Sequence, residues 1–313
     1  MNCYAAKQMN GRTNFELVRS AASAMDTPKS DRIFPGFRAN FVTGHHREPP
    51  ALIAVFVFLT ITCTPPASGQ SEVGFTIEPP SQVYGAQVFG DGSRDANPAD
   101  WPATFILTNN SGLECTATAL SDHVLLTAAH CVSNTSHGEM KRVGATKRAV
   151  DCEISGDYPA DRYADFSLCT VTPPIPPSQF GFESIGFDLG EASTDATITL
   201  VGFGCRKAGG IDRGFGKLGE GDAKVTSWSD KYITTGGSAA LCLGDSGGGA
   251  YFAADASHLQ RRLVAINSRG DLHSVSQLTR TGNHSFVEWA GHWAASHNVT
   301  ICGVGPPAQH CHQ

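Results

Sequence analysis

Long apolar runs, basic tracts, paired cysteines and internal repeats are all missing from this 313-residue chain. Each absence narrows what it can be. The most apolar stretch, Ala51-Leu52-Ile53-Ala54-Val55-Phe56-Val57-Phe58-Leu59-Thr60-Ile61, is too short to span a bilayer comfortably. A formal net charge of -6 without a basic run argues against nucleic acid as the main partner. The ten cysteines are many for a reducing compartment and lack the CxxC pairs of structural zinc sites, so they read mostly as disulfides of a chain that leaves the cytosol, and the activity expected below calls for no metal and no cofactor. Charged residues are scarce at 17 %, yet hydrophobic ones reach 41 %, which excludes a disordered chain and allows one or two domains with a substantial core. Without repeats or low-complexity tracts, the organisation has to be read from turns and short apolar stretches.

Those are plentiful. The 34 glycines and 17 prolines provide the frequent turns that short-stranded β proteins need. Residues 1–50 show neither helical nor strand period and read as an unstructured or wrongly started extension, with a true start near Val42 as one hypothesis. Residues 51–69 combine a mildly basic flank, a short apolar core and small residues, as a secretory signal peptide does. An uncleaved anchor through 51–63 and lipid attachment at Cys63 are the alternatives. Residues 70–87 form a polar connector or propeptide. From Val88 onwards short apolar stretches recur at 103–107, 116–120, 123–128, 165–171, 197–203 and 262–267, the pattern of a β-barrel or sandwich. Residues 172–177, rich in proline, cannot form a central strand and read as a linker between two β units. Residues 204–221 read as a loop, and 286–294 carry apolar residues three or four apart, as a packed helix does.

One serine stands out. Gly244-Asp245-Ser246-Gly247-Gly248 places it where the backbone can turn tightly and aim bare N–H groups at a substrate. A serine hydroxyl needs a base, and the base needs a partner that fixes its tautomer. Thr127-Ala128-Ala129-His130-Cys131 offers the base and Tyr163-Ala164-Asp165-Phe166-Ser167-Leu168 the acid. Asp157 and Asp161 compete on proximity, but neither opens an apolar strand. In that order the three segments resemble the chymotrypsin-like (trypsin-fold) serine proteases, over Val88 to about Asn298.

The resemblance implies an all-β fold of two six-stranded antiparallel β-barrels with the active site between them and a C-terminal α-helix. The first barrel is expected over 88–185, the second over 186–283, and the helix and tail over 284–313. It implies His130 as general base and acid, Asp165 as its orienting carboxylate, Ser246 as nucleophile, and the N–H groups of Gly244 and Ser246 as the oxyanion hole. It implies a Cys115–Cys131 disulfide. Cys152 and Cys169, on segments expected to be neighbouring strands, are expected to pair. Many relatives pair the cysteine before the serine motif with one downstream, but here none occurs until Cys302, so Cys205 is expected to partner Cys242, and Cys302 Cys311. Cys3 and Cys63 are left in the part expected to be removed. Activation in this family implies Val88 as a new N-terminus pairing with Asp245, although Asp91 replaces a glycine and Gln87 stands where Arg or Lys is usual. The substrate pocket implied is walled by Ala240, Ser268 and Gly270. Ala240 cannot hold a basic residue as an aspartate would, so small or apolar residues are expected before the scissile bond. Arg269 stands in place of a tryptophan and is expected to point outward into water rather than to favour acidic substrates.

The resulting expectation is a secreted or periplasmic serine endopeptidase, a monomer acting on polypeptides through an acyl-enzyme. A catalytically inactive homologue that binds through the same fold is the rival. An esterase fits the short Gly-x-Ser-x-Gly pattern but not the order of the three segments. Sequons occur at Asn109, Asn134, Asn283 and Asn298.

Overall fold

The structure is a computed structural model that describes residues 88–142, 145–186, 194–210, 215–253, 260–306 and 309–312. The segments expected as extension, signal peptide and connector, with Cys3 and Cys63, lie outside the described residues. Thirteen strands and one α-helix make up the described fold. Strands β2 (Thr104–Asn109), β3 (Glu114–Ala119), β4 (Val124–Thr127), β5 (His137–Lys141), β6 (Arg148–Ile154) and β7 (Ser167–Thr172) close a six-stranded antiparallel barrel in the order β2-β3-β4-β7-β6-β5. Residue pattern explains the closure. In β6 the alternation Val150 and Cys152 inward, Asp151 and Glu153 outward, is what a sheet with one buried face requires. Leu107, Leu125 and Met140 share that inner face, Leu126 and Leu168 lie on the opposite one, and all five are fully buried. Each such side chain contributes about 1.5–3 kcal/mol of burial.

The second barrel is built from β8 (Thr197–Gly202), β9 (Gly219–Trp228), β10 (Tyr232–Gly236), β11 (Gly249–Ala253), β12 (Arg261–Gly270) and β13 (Ser276–Arg280). They run β9-β10-β13-β12-β11-β8, and a β8–β9 pairing closes the ring. Ile198, Leu200, Val225, Ile233 and Leu278 form its core. Residues 219–228 carry too few apolar side chains to register as a strand by hydrophobicity. Their alternation is nonetheless correct, with Ala223 and Val225 inward and Lys224 and Thr226 outward.

Two boundaries differ from expectation. Strand β1 (Ser93–Asp95) pairs with β9, and Phe89 bridges to Ala240, so the segment from Val88 joins the second barrel rather than the first. Strand β9 also begins inside the stretch read as a loop. At the other end, helix α1 (His284–His297) buries Phe286, Ala290, Trp293 and Ala294 on one face. Phe286 meets Phe166 of the first barrel edge-on at 4.9 Å. Asn283 caps the helix by accepting from the N–H of Phe286 at 2.8 Å. Past the helix, His312 N–H donates to Phe182 O, tying the tail to the inter-barrel linker.

Candidate active site

Antiparallel register brings the acid to the base. Thr127 at the end of β4 lies opposite Ser167 at the start of β7. Residues just past Thr127 therefore share one barrel end with residues just before Ser167. His130 sits in a short 3-10 turn, Ala129–Cys131, immediately after β4, and Asp165 two residues before β7. The turn is stapled at Cys131 to Cys115 on β3. Cys152–Cys169 links β6 to β7 behind the acid. With both its neighbouring thiols in a disulfide, His130 has no thiolate beside it to share a metal.

Asp165 grips its partner twice. Its Oδ2 accepts from His130 Nδ1 at 2.8 Å, and its Oδ1 accepts the backbone N–H of His130 at 2.9 Å. Ser268 Oγ donates to the same Oδ2 at 2.5 Å. The Asp165 side chain is 3 % exposed and that of His130 18 %, so the ring keeps a solvent-facing edge while its partner does not. Burial alone pushes the Asp165 pKa up. The adjacent His130 ring and the hydrogen bonds from His130 and Ser268 outweigh it and hold the carboxyl below its usual range. Of the competing acids, Asp161 is bonded to Lys231 at 2.6 Å and accepts the N–H of Tyr163. Asp157 makes no contact with the histidine among the described hydrogen bonds.

Ser246 arrives from the second barrel on the loop between β10 and β11. Gly249 opposite Ile266 sets the β11–β12 register, and the pairing continues past the strand: Gly247 N–H donates to Asn267 O and Asn267 N–H to Gly248 O, both at 2.8 Å. Asn267 Nδ2 further donates to Val201 O at 3.0 Å. The first barrel then takes hold of the loop. Thr116 N–H donates to Ser246 O at 2.9 Å, and Thr116 Oγ1 donates to Gly244 O at 2.8 Å while accepting the N–H of Phe203 at 3.0 Å. Gly247, at φ +80°, packs its Cα against Thr127 and Ala128, where a Cβ would collide with both. This is the contact that puts Ser246 beside the histidine turn.

Gly244 adopts φ +90°, which a side chain would strain. No acceptor among the described residues takes the N–H of Gly244 or Ser246. Likewise, no hydrogen bond joins Ser246 Oγ to the His130 ring among the described residues.

Asp245 points away from the cleft and is fully buried. Its Oδ1 accepts from Gly204 N–H at 2.8 Å and its Oδ2 from Cys242 N–H at 2.9 Å, and the backbone N–H of Val88 is a third donor. Gly202 leaves the room this carboxylate fills. The Cys205–Cys242 disulfide joins the two segments whose N–H groups hold it. With no cation in contact among the described residues, burial pushes the Asp245 pKa well up against those hydrogen bonds.

At the expected substrate wall, Ala240 is buried and paired to Phe89 by two backbone hydrogen bonds, and Leu241 N–H donates to Ser276 Oγ at 2.9 Å. Arg269 departs from expectation. It is 9 % exposed, turned inward, with Nε donating to Ser268 Oγ at 3.3 Å and Nη2 to the carbonyl of Arg162. The partners that hold it there come from a distant segment, which no local pattern reveals. Thr116 and Asn267 were likewise missed, because a threonine and an asparagine inside apolar strands carry no motif. Cys302–Cys311 closes the tail.

The chain is similar over residues 91–288 to the protein-family model described as Trypsin. No curated protein matches it.

Proposed function

Because the chain belongs to the trypsin family, with the family model covering residues 91–288, we propose that it is a serine endopeptidase working through Ser246, His130 and Asp165. The observation that carries this is the double grip of Asp165 on His130, at 2.8 Å through Nδ1 and 2.9 Å through the backbone, one residue layer from the Gly247–Thr127 contact. With Nδ1–H held by the carboxylate, Nε2 is left as the base. It takes the Ser246 proton as Oγ attacks the peptide carbonyl, and the oxyanion falls to the N–H groups of Gly244 and Ser246. His130 then returns the proton to the leaving amine, and water hydrolyses the acyl-enzyme by the same route in reverse. Serine-to-base bonds are often long in free enzymes and tighten with substrate.

Cleavage between Gln87 and Val88 would turn the Val88 donor to Asp245 into an ammonium and supply the missing cation. The site is shaped for this residue: Val88 is buried in the second barrel's core, and Gly221 leaves it space, since a Cβ there would stand 2.9 Å from Val88 Cγ1. The walls at Ala240, Ser268 and Gly270 carry no acid, which supports cleavage after small or apolar residues. Four disulfides fit an oxidising compartment and hence a secreted or periplasmic protein. One observation favours a second reading, a binding protein without turnover: the missing bond between Ser246 Oγ and His130.

A fluorophosphonate probe separates the two. Ser246 of the processed protein should label in a stoichiometric, pH-dependent way, and Ser246→Ala should not; an unlabelled wild type refutes the enzyme. Peptide-library profiling then tests the pocket, and a dominant Arg or Lys preference would refute the reading of Ala240.

A further inference from the structure

Arg269 follows Ser268 on β12, at a position where the resemblance calls for tryptophan. A buried guanidinium is retained only where partners offset its lost hydration. Its partners here are the Ser268 hydroxyl, the Arg162 carbonyl and the ring of Tyr163, whose centre lies 5.7 Å from the guanidinium carbon. Tyr163 is in turn stacked on Tyr232 at 4.8 Å, so the platform is rigid. Ser268 uses its hydroxyl proton on Asp165 Oδ2 at 2.5 Å while accepting from Arg269 Nε. A permanent cation therefore stands one hydroxyl away from the carboxylate that orients His130.

We propose that Arg269 is a positioning residue: it braces the Ser268–Asp165 hydrogen bond and sets a fixed positive charge beside Asp165, which keeps His130 in its basic form down to a lower pH than Asp165 alone would allow. The role rests on the reading of Ser246, His130 and Asp165 given above. A carboxylate favours the imidazolium next to it, and a cation behind that carboxylate weakens the effect. The other groups facing this cluster do not cancel it. From the segment before β7, Arg162 adds like charge, Tyr158 and Tyr163 bring phenol rings rather than carboxylates, and Asp161 feels Arg269 but is bonded to Lys231 of the β9–β10 turn. Asp165 is thus the carboxylate that joins Arg269 to the histidine, and the burial that lowers the pKa of Arg269 leaves it charged.

The test compares Arg269→Gln and Arg269→Lys with the wild-type processed protein by two readouts: the acid limb of kcat/KM on a short peptide substrate, and the titration of the His130 ring followed by NMR. In R269Q both midpoints should rise by about half a pH unit or more. R269K should keep the wild-type midpoints yet lose turnover severalfold, because an ammonium cannot bridge Ser268 and Arg162 as the planar fork does. Midpoints unmoved in R269Q overturn the proposal, as do R269K midpoints shifted like those of R269Q. If R269Q does not fold, R269K decides: unchanged midpoints with reduced kcat support the role, and wild-type kcat refutes it. The NMR titration needs no turnover. An inactive wild type whose His130 still shifts in R269Q would sink the peptidase while sparing this role, and an active wild type with an unmoved His130 would do the opposite.

Discussion

Thr116→Val tests whether the two barrels together build the proposed oxyanion hole. Thr116 is fully buried on β3, and its hydroxyl both donates to Gly244 O at 2.8 Å and accepts the N–H of Phe203 at 3.0 Å. Valine keeps the shape and removes both bonds. Losing the bond to the partly exposed Gly244 C=O costs about 1 kcal/mol net, and leaving the buried Phe203 N–H unpaired costs about 1–3 kcal/mol, so the loss should total about 2–4 kcal/mol. At roughly 2–4 °C per kcal/mol for a domain of this size, the melting temperature should fall by about 4–16 °C. Activity should fall separately. The Gly244 carbonyl belongs to the peptide that enters Asp245, so its release lets the Gly244 segment, held at φ +90°, swing its N–H out of line. Removing one oxyanion donor outright costs about a hundredfold to a thousandfold in kcat, and misaligning one should cost about tenfold or more, with KM little changed. Steady-state kinetics on T116V, with T116S as the rescue, supply the check. Wild-type kcat in a T116V protein that has lost the expected stability would show that Thr116 is only structural, and the account of Gly244 would be wrong.

Cut and uncut forms should diverge with pH. In the uncut chain Asp245 is buried without a cation and its pKa is raised, so its contribution is most favourable below the ordinary carboxylate value and is lost as pH rises through the raised folded value. An ammonium at Val88 reverses this, so the melting-temperature gap between the two forms should widen from about pH 4 toward neutrality; parallel curves would refute the pairing. Glu183→Gln should cost about 3–5 kcal/mol in urea unfolding, because it removes the negative charge that meets Arg261 at 2.5 Å with both side chains buried. Expression in a eukaryotic secretory host should place glycans at Asn134 and Asn298, which are exposed, and not at Asn109 or Asn283, whose amides are buried and bonded to Cys131 O and Arg280 O. Glycopeptide mass spectrometry decides that point.

What the sequence disclosed and what it hid divide along a physical line. His130, Asp165 and Ser246 were legible because each must sit in a fixed local conformation, and a fixed conformation demands particular neighbours: Gly247 for φ +80°, Cys131 for the staple, a short apolar strand after Asp165. The barrels were legible in outline from the turn spacing and the family resemblance. Arg269 was not, because a charged residue reads as solvent-facing unless its partners are known, and those partners lie about a hundred residues upstream at Arg162 and Tyr163. The same holds for Thr116, whose partners Phe203 and Gly244 are on the other barrel. The allegiance of the Val88 segment to the second barrel was hidden for a related reason: β1 has three residues, two of them charged, and only its pairing with β9 makes it a strand.

That misplaced segment would also tie the proposed activation to substrate choice. Phe89 exchanges two hydrogen bonds with Ala240, at 3.1 and 2.9 Å, while the residue before it donates to Asp245. Ala240 belongs to the proposed substrate wall, and Asp245 is flanked by the two residues whose N–H groups would hold the oxyanion. Two consecutive residues would therefore hold the proposed wall and the Ser246 loop in one place. Gly90 makes the arrangement unforgiving, since at φ +108° a Cβ would collide with the Ser238 carbonyl, and the segment has no room to slide. If Val88 moves when Gln87 is cut away, the displacement passes through Phe89 into Ala240 as directly as through the backbone N into Asp245. Binding and turnover should then be switched on together, and a protein in which cleavage changed kcat alone would have to hold Ala240 by contacts other than these.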